Sequence, residues 1–275
     1  VLLLITALIW GVAFVAQSVG MDYMGPFTFN GARFLLGSAV LLPVIVFRGI
    51  KARHLHQQPQ KEGGTETDNT ANKTANRTAV VGGICCGVAL CFASLFQQFG
   101  IVYTTVGKAG FITTLYIVLV PLIGIFMRKK SGVKIWLGVV LAAVGFYLLC
   151  INDGFTLSLG DGLVFISAVL FSVHILVIDY FSPKADGVKI SCIQFLTAGI
   201  ISGILALVFE KPELSQLVKG IIPLAYAGIL SCGAGYTLQV IGQRDTEPTV
   251  ASLLLSMESV FSVLAGWIIL NQSLS

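Results

Sequence analysis

Apolar segments about 20 residues long recur nine times along this chain and leave little scope for a soluble fold. Their approximate limits are 1–19, 28–47, 80–102, 109–127, 133–151, 160–180, 188–208, 219–241 and 249–270. As helix, about 20 residues cross roughly 30 Å of hydrocarbon. Lipid offers the backbone no hydrogen-bond partner, so each segment must satisfy its own amides as a helix. Barrel strands would run about ten residues and alternate in polarity. These segments do neither, and the predicted fold class is an all-α membrane protein, a multi-span helical bundle.

Composition agrees. The chain is 56% hydrophobic and 11% charged, where a soluble domain carries about 25% charge. Too few polar residues exist to cover a water-facing surface. The six cysteines lie in or beside apolar segments without metal-ligand spacing, so they read as small buried side chains. No metal or cofactor is expected. GxSxG, HExxH and phosphate-loop patterns are absent from the sequence, which argues against enzymatic chemistry and against ATP as the energy source. The expected partners are a small-molecule substrate and the lipid bilayer, with no nucleic acid. The residues say nothing about oligomeric state.

Residues 48–79 interrupt the pattern. The stretch "QQPQKEGGTETDNTANKTANRT" is polar, rich in Thr and Asn and poor in aromatics, and reads as a disordered surface loop. Basic residues cluster on one set of connections. Thirteen, including Arg48, Arg128, Lys184 and Arg244, lie on the side of that loop, against three, Lys108, Lys211 and Lys219, on the other. The positive-inside rule then places the N-terminus and loop 48–79 in the cytoplasm.

The chain also repeats itself. A shift of 161 aligns Trp10 with Phe171, Phe34 with Phe195 and Leu35 with Leu196. A shift of 142 aligns Gln97 with Gln239, Thr104 with Thr246 and Gly124 with Gly266. The long polar loop accounts for the difference between the shifts. Residues 1–151 form one five-helix repeat, and residues 160–275 form a second containing helices 6–9. The expected protein has nine spans here, with a tenth apparently missing beyond Ser275. Five helices is an odd number, so the second repeat enters the membrane inverted, an arrangement suited to alternating access.

The order of these stretches resembles a known group. "TALIWGVAFVAQSVG", "PFTFNGARFLLGSAVLL", "GIVYTTVGKAGFITTLYIVLVPLIGIF" and "TEPTVASLLLSMESVFSVLAGWIILNQSLS" look like the EamA family of the drug/metabolite transporter superfamily. The resemblance implies an inner-membrane, multi-pass carrier that exports amino acids, other metabolites or toxic small molecules. The expected function is secondary active export of a small polar metabolite or amino-acid-like solute, with proton coupling as an option. The alternative is a non-transporting structural or regulatory membrane protein that keeps the carrier fold.

A few polar residues inside the apolar segments are the site candidates. Glu258 lies mid-depth in the last segment, where a carboxylate is costly unless it faces a cavity or a partner. It is either a coupling or substrate-contacting group, or a structural acid bonded between helices. Its repeat equivalent is Tyr116. Arg33 lies in the outer half of the second segment with Asn30 one turn before it. It can bind a substrate carboxylate through its planar fork, or snorkel to headgroups. Its repeat equivalent is Gln194. Gln97, Gln98, Gln239 and Trp10 can line a site by hydrogen bonding and stacking, or can join helices. Trp10 and Gln17 share one helix face. His174 is either a proton relay or a neutral core histidine.

Overall fold

A computed structural model describes residues 1–56, 66–126 and 158–272, and scattered positions between 133 and 144. Among the described residues, eight helices are long and apolar enough to cross a membrane: Leu2–Gly20, Pro26–Ile50, Lys73–Ile101, Val106–Ile125, Leu159–Lys184, Gly187–Phe209, Ile221–Gln243 and Pro248–Leu270. Each coincides with one expected segment to within a few residues, except that the third begins well before residue 80. The expected fifth span, 133–151, lies largely outside the described residues. The protein is an all-α, multi-pass membrane bundle, with no strand among the described residues.

The first three helices are α1 (Leu2–Gly20), α2 (Pro26–His56) and α3 (Glu66–Ile101). The expectation of a disordered segment over 48–79 needs correction. Helix α2 continues to His56 and α3 begins at Glu66, so only 57–65 lies outside the described residues. The physical reason is cooperativity. Once an apolar span has nucleated a helix, each added polar residue gains a backbone bond at small cost.

The fourth span consists of two half-helices, α4 (Val106–Thr113) and α5 (Tyr116–Phe126). Leu115 N bonds back to Ile112 O at 3.1 Å, and Ile117 N to Thr114 O at 2.9 Å. These three-residue steps tighten the turn between the halves. The last span is divided in the same way into α11 (Pro248–Leu255) and α12 (Glu258–Leu270). Adding 142 to the bounds of α4 gives those of α11. Tyr116 and Glu258 therefore open the second halves at equivalent positions.

Between them lie α6 (Leu159–Phe181), α7 (Gly187–Phe209) and the short α8 (Leu214–Lys219). The span Ile221–Gln243 begins as α9 (Ile221–Ala225), widens to π geometry across Tyr226–Tyr236 and ends as α10 (Thr237–Gln243). A π turn inserts an extra residue per turn and is frequent near functional sites.

Packing interleaves the two halves of the sequence. Helix α1 packs on the π stretch and on α12, while α6 packs on α3 and α5. Helices α2 and α7 lie against each other. Phe34 and Phe195, equivalent under the shift of 161, stack across that pair at 6.2 Å with planes 8° apart. The start of each helix in the pair is held near the end of the other. Glu210, just past α7, accepts from Phe27 N (2.9 Å) and Thr28 N (2.7 Å) at the start of α2. Asp186 caps α7 by accepting from Val188 N at 2.8 Å, and Arg48 on α2 lies 3.6 Å from it. Carboxylates at helix N-termini satisfy orphan amides and complement the helix dipole. Gly25 is needed for the first arrangement, because a Cβ there would collide with the Glu210 carboxylate.

Close approach elsewhere also rests on glycine. A Cβ on Gly87 of α3 would lie 2.6 Å from Gln194 O on α7. Small residues at such contacts let helix backbones approach closely where lipid supplies no hydrophobic drive. The largest core cluster includes Phe34, Leu90, Phe195, Tyr236 and Leu255.

Candidate functional site

Mid-depth residues of seven spans converge on one cavity. Its lining includes Trp10, Phe14 and Gln17 from α1, Arg33 from α2 and Gln97 from α3. Thr113 and Tyr116 contribute from either side of the turn in the fourth span. Phe171 and Ile175 come from α6, Ser231 and Tyr236 from the π stretch, Gln239 from α10 and Glu258 from α12.

Glu258 is 3% exposed. Its Oε1 accepts from the Tyr116 hydroxyl at 3.0 Å. It is the first residue of α12, just after the turn that divides the last span. The intramembrane carboxylate thus has the Tyr116 hydroxyl as a partner and still lines the cavity.

Arg33 is 2% exposed and does not snorkel to a headgroup. Its guanidinium lies 4.8 Å from the Phe34 ring centroid and 5.6 Å from that of Phe29. Nε and Nη2 are buried without a hydrogen-bond partner among the described residues. Arg33 and Glu258 line the same cavity, and no ion pair joins them among the described residues.

Amides and rings make up the remaining walls. Gln97 Nε2 donates to Thr113 Oγ1 at 3.1 Å. The side-chain oxygens of Gln17 and Gln239 are buried without a partner among the described residues. Trp10 packs on Tyr236 with centroids 4.4 Å apart and donates from Nε1 to Ser231 O at 3.4 Å. Thr6 Oγ1 donates to Gly235 O and Tyr226 OH to Ile9 O, both at 3.1 Å, which fastens α1 along the π stretch.

Six sequence candidates therefore share the cavity: Glu258, Arg33, Tyr116, Gln97, Trp10 and Gln239. Four do not line it. Asn30 Nδ2 donates to Ser94 O at 3.2 Å, joining α2 to α3. Gln98 Nε2 donates to Gln17 O at 3.0 Å, joining α3 to α1. His174 Nε2 and Gln194 Oε1 lie 3.1 Å apart, linking α6 to α7. His174 is fully buried, with its ring edge-on to Tyr236 at 6.0 Å, directly behind the cavity wall.

Sequence reasoning missed Tyr236, which meets Trp10, His174 and Phe195 and is the aromatic centre of the site. The preceding small-residue run Ser231-Cys232-Gly233-Ala234-Gly235 was the available signal. A Cβ on Gly235 would lie 2.7 Å from Trp10 Nε1, so the run permits the close approach of α1.

A helical membrane bundle enclosing a polar, aromatic-lined cavity is an architecture suited to moving small solutes. Comparison with known proteins narrows that class: the EamA-like transporter family matches residues 1–151 and again 158–275, and the chain belongs to this family. The family is one of transporters, not enzymes. An uncharacterised transporter of Archaeoglobus fulgidus is 29% identical over 277 residues, covering 99% of this chain and 78% of the relative. A second from the same organism is 24% identical over 98% of this chain and 89% of the relative. An uncharacterised transporter of Clostridium kluyveri is 23% identical over 94% and 80%. A crystal structure of 18% identity superimposes with a TM-score of 0.66, covering 98% of this chain and 90% of the other, and so shares its fold.

Proposed function

We propose that the protein is a secondary active transporter that exports a small polar or amino-acid-like solute by alternating access. Residues 1–151 and 160–275 are its two inverted repeats. The N-terminus and the connection around 48–79 face the cytoplasm. Glu258 is the proton-coupling group.

One observation carries this reading. Four repeat-equivalent pairs meet at the cavity: Trp10 with Phe171, Phe14 with Ile175, Gln97 with Gln239, and Tyr116 with Glu258. A cavity placed between equivalent positions can be closed from either side by exchanging the conformations of the halves. The tightened turns at 114–115 and 256–257 occur in the same two spans that supply Tyr116 and Glu258. Such turns are natural places for the halves of a span to move separately.

The test is uptake into proteoliposomes containing the purified full chain, using labelled amino acids and other small polar metabolites. Saturable uptake of at least one solute is expected, and Ser231→Trp, which fills the cavity, should abolish it while the protein stays monodisperse. Uptake that S231W leaves unchanged would overturn the assignment to this cavity. Absence of saturable uptake for every solute would favour a non-transporting membrane protein.

A further inference from the structure

We infer that the solute is recognised by a carboxylate seated on the Nε–Nη2 edge of Arg33. This rests on the cavity being the transport site. Nε and Nη2 form one edge of the guanidinium, with two nearly parallel N–H bonds spaced to meet the two oxygens of a carboxylate. Among the described residues they are the two Arg33 nitrogens buried without a partner, on a side chain that is 2% exposed and lines the cavity. A buried cation with unmet donors is costly, and a protein retains one where something else supplies the acceptors.

No protein carboxylate fills that role among the described residues. Glu258 accepts from Tyr116, and Glu210 is engaged by the amides at the start of α2. The Phe29 and Phe34 rings lie close to the guanidinium and limit its reorientation. A single-atom anion such as chloride would use the two-donor edge poorly. The other walls carry both rings (Trp10, Phe14, Phe171, Tyr236) and amides (Gln97, Gln239), so an amino-acid-like solute with an apolar or aromatic body matches them.

Matched acids and amides test this directly. The full chain in detergent is titrated with phenylacetate and phenylacetamide, and with L-phenylalanine and L-phenylalaninamide, while its thermal transition is followed. The acids should raise the transition saturably and the amides should not. Arg33→Gln should remove the response to the acids. Arg33→Lys should weaken it by at least about tenfold, because a point ammonium cannot present two parallel donors.

Equal responses to acid and amide, or an R33Q protein that still responds to the acids, would overturn the inference. So would a saturating response to chloride alone that the acids do not compete away, or a well-folded wild type that responds to none of the four. If R33Q fails to fold, the acid–amide comparison in the wild type decides alone. Binding of acids without uptake in proteoliposomes would remove the transport reading and leave the Arg33 site. Saturable uptake of amides and acids alike would do the reverse.

Discussion

Tyr116 donates its hydroxyl to Glu258 Oε1 at 3.0 Å, and the two residues, 142 apart in sequence, each open the second half of a divided span. One half of the protein thus supplies a neutral hydroxyl and the other an ionisable carboxylate at equivalent points. If transport is coupled to protons, this asymmetry gives the proton a single mid-membrane site.

Glu258→Gln keeps an acceptor for Tyr116 but removes the exchangeable proton. The variant should fold and take up solute down its gradient. Accumulation driven by an imposed pH gradient should be lost. Parallel uptake assays with and without the gradient check this, and equal accumulation in wild type and E258Q would rule out Glu258 as the coupling group.

Energetic coupling between the two residues is a separate matter. A hydrogen bond to a charged group contributes about 1.5–3 kcal/mol. Stability of wild type, Y116F, E258A and Y116F/E258A, in which each single change removes the bond, should give a coupling energy of about 0.5–3 kcal/mol. Additive effects of the two single changes would show that the contact contributes no stability.

Gly87→Ala should destabilise the bundle by about 1–3 kcal/mol through overpacking, because its Cβ meets the α7 backbone at Gln194. Gly49→Ala is the internal control. Nothing lies within 4 Å of a Cβ there, so that change should be neutral or gain up to about 1 kcal/mol of helix propensity. Thermal denaturation in one detergent compares the two, and similar losses would contradict the packing described.

Glu210→Ala removes the cap that α7 lends to α2. A loss of about 0.5–2 kcal/mol is expected, in the range of other helix N-caps. Glu210→Gln, which keeps one acceptor oxygen, should lose less in the same denaturation series.

Orientation can be read by cysteine labelling. Lys73 and Tyr103 are exposed at opposite ends of the span Lys73–Ile101, Tyr103 just past it. In a background with Cys85 and the other cysteines replaced, Tyr103→Cys should react with a membrane-impermeant thiol reagent in intact cells. Lys73→Cys should react only after permeabilisation. The opposite pattern would invert the proposed topology.

Much of the architecture was legible because lipid imposes a simple rule: a long apolar segment must be a helix. Eight of the expected spans follow from it, and the structure moves most of their limits by only a few residues. The rule says nothing about where a polar helix stops, which is why Glu66–Thr78 was read as disordered and is helical. Nor does it register backbone geometry inside a span. Thr114, Leu115, Ser256 and Met257 are unremarkable in hydropathy, yet they carry the turns that place Tyr116 and Glu258.

The cavity lining was legible where an unusual residue met a repeat shift. Glu258, Tyr116, Gln97 and Gln239 were found in that way and share the cavity. Polarity alone could not separate lining residues from helix joiners. His174 and Gln194 are as polar as Gln97, but they satisfy each other between α6 and α7. Tyr236 escaped because tyrosine is ordinary in a membrane helix. Its role comes from the π stretch and the small residues before it, which turn its ring toward Trp10.

The central claim is that the cavity operates by alternating access, and counterflow measures this most directly. Proteoliposomes carrying the full chain are loaded with unlabelled solute and diluted into a trace of the labelled form. A carrier that exchanges one bound molecule per conformational cycle should show labelled solute rising transiently above its equilibrium level and then falling. Labelled solute that only approaches equilibrium, at a rate indifferent to internal loading, would contradict the account and indicate a passive pore or no transport by this protein.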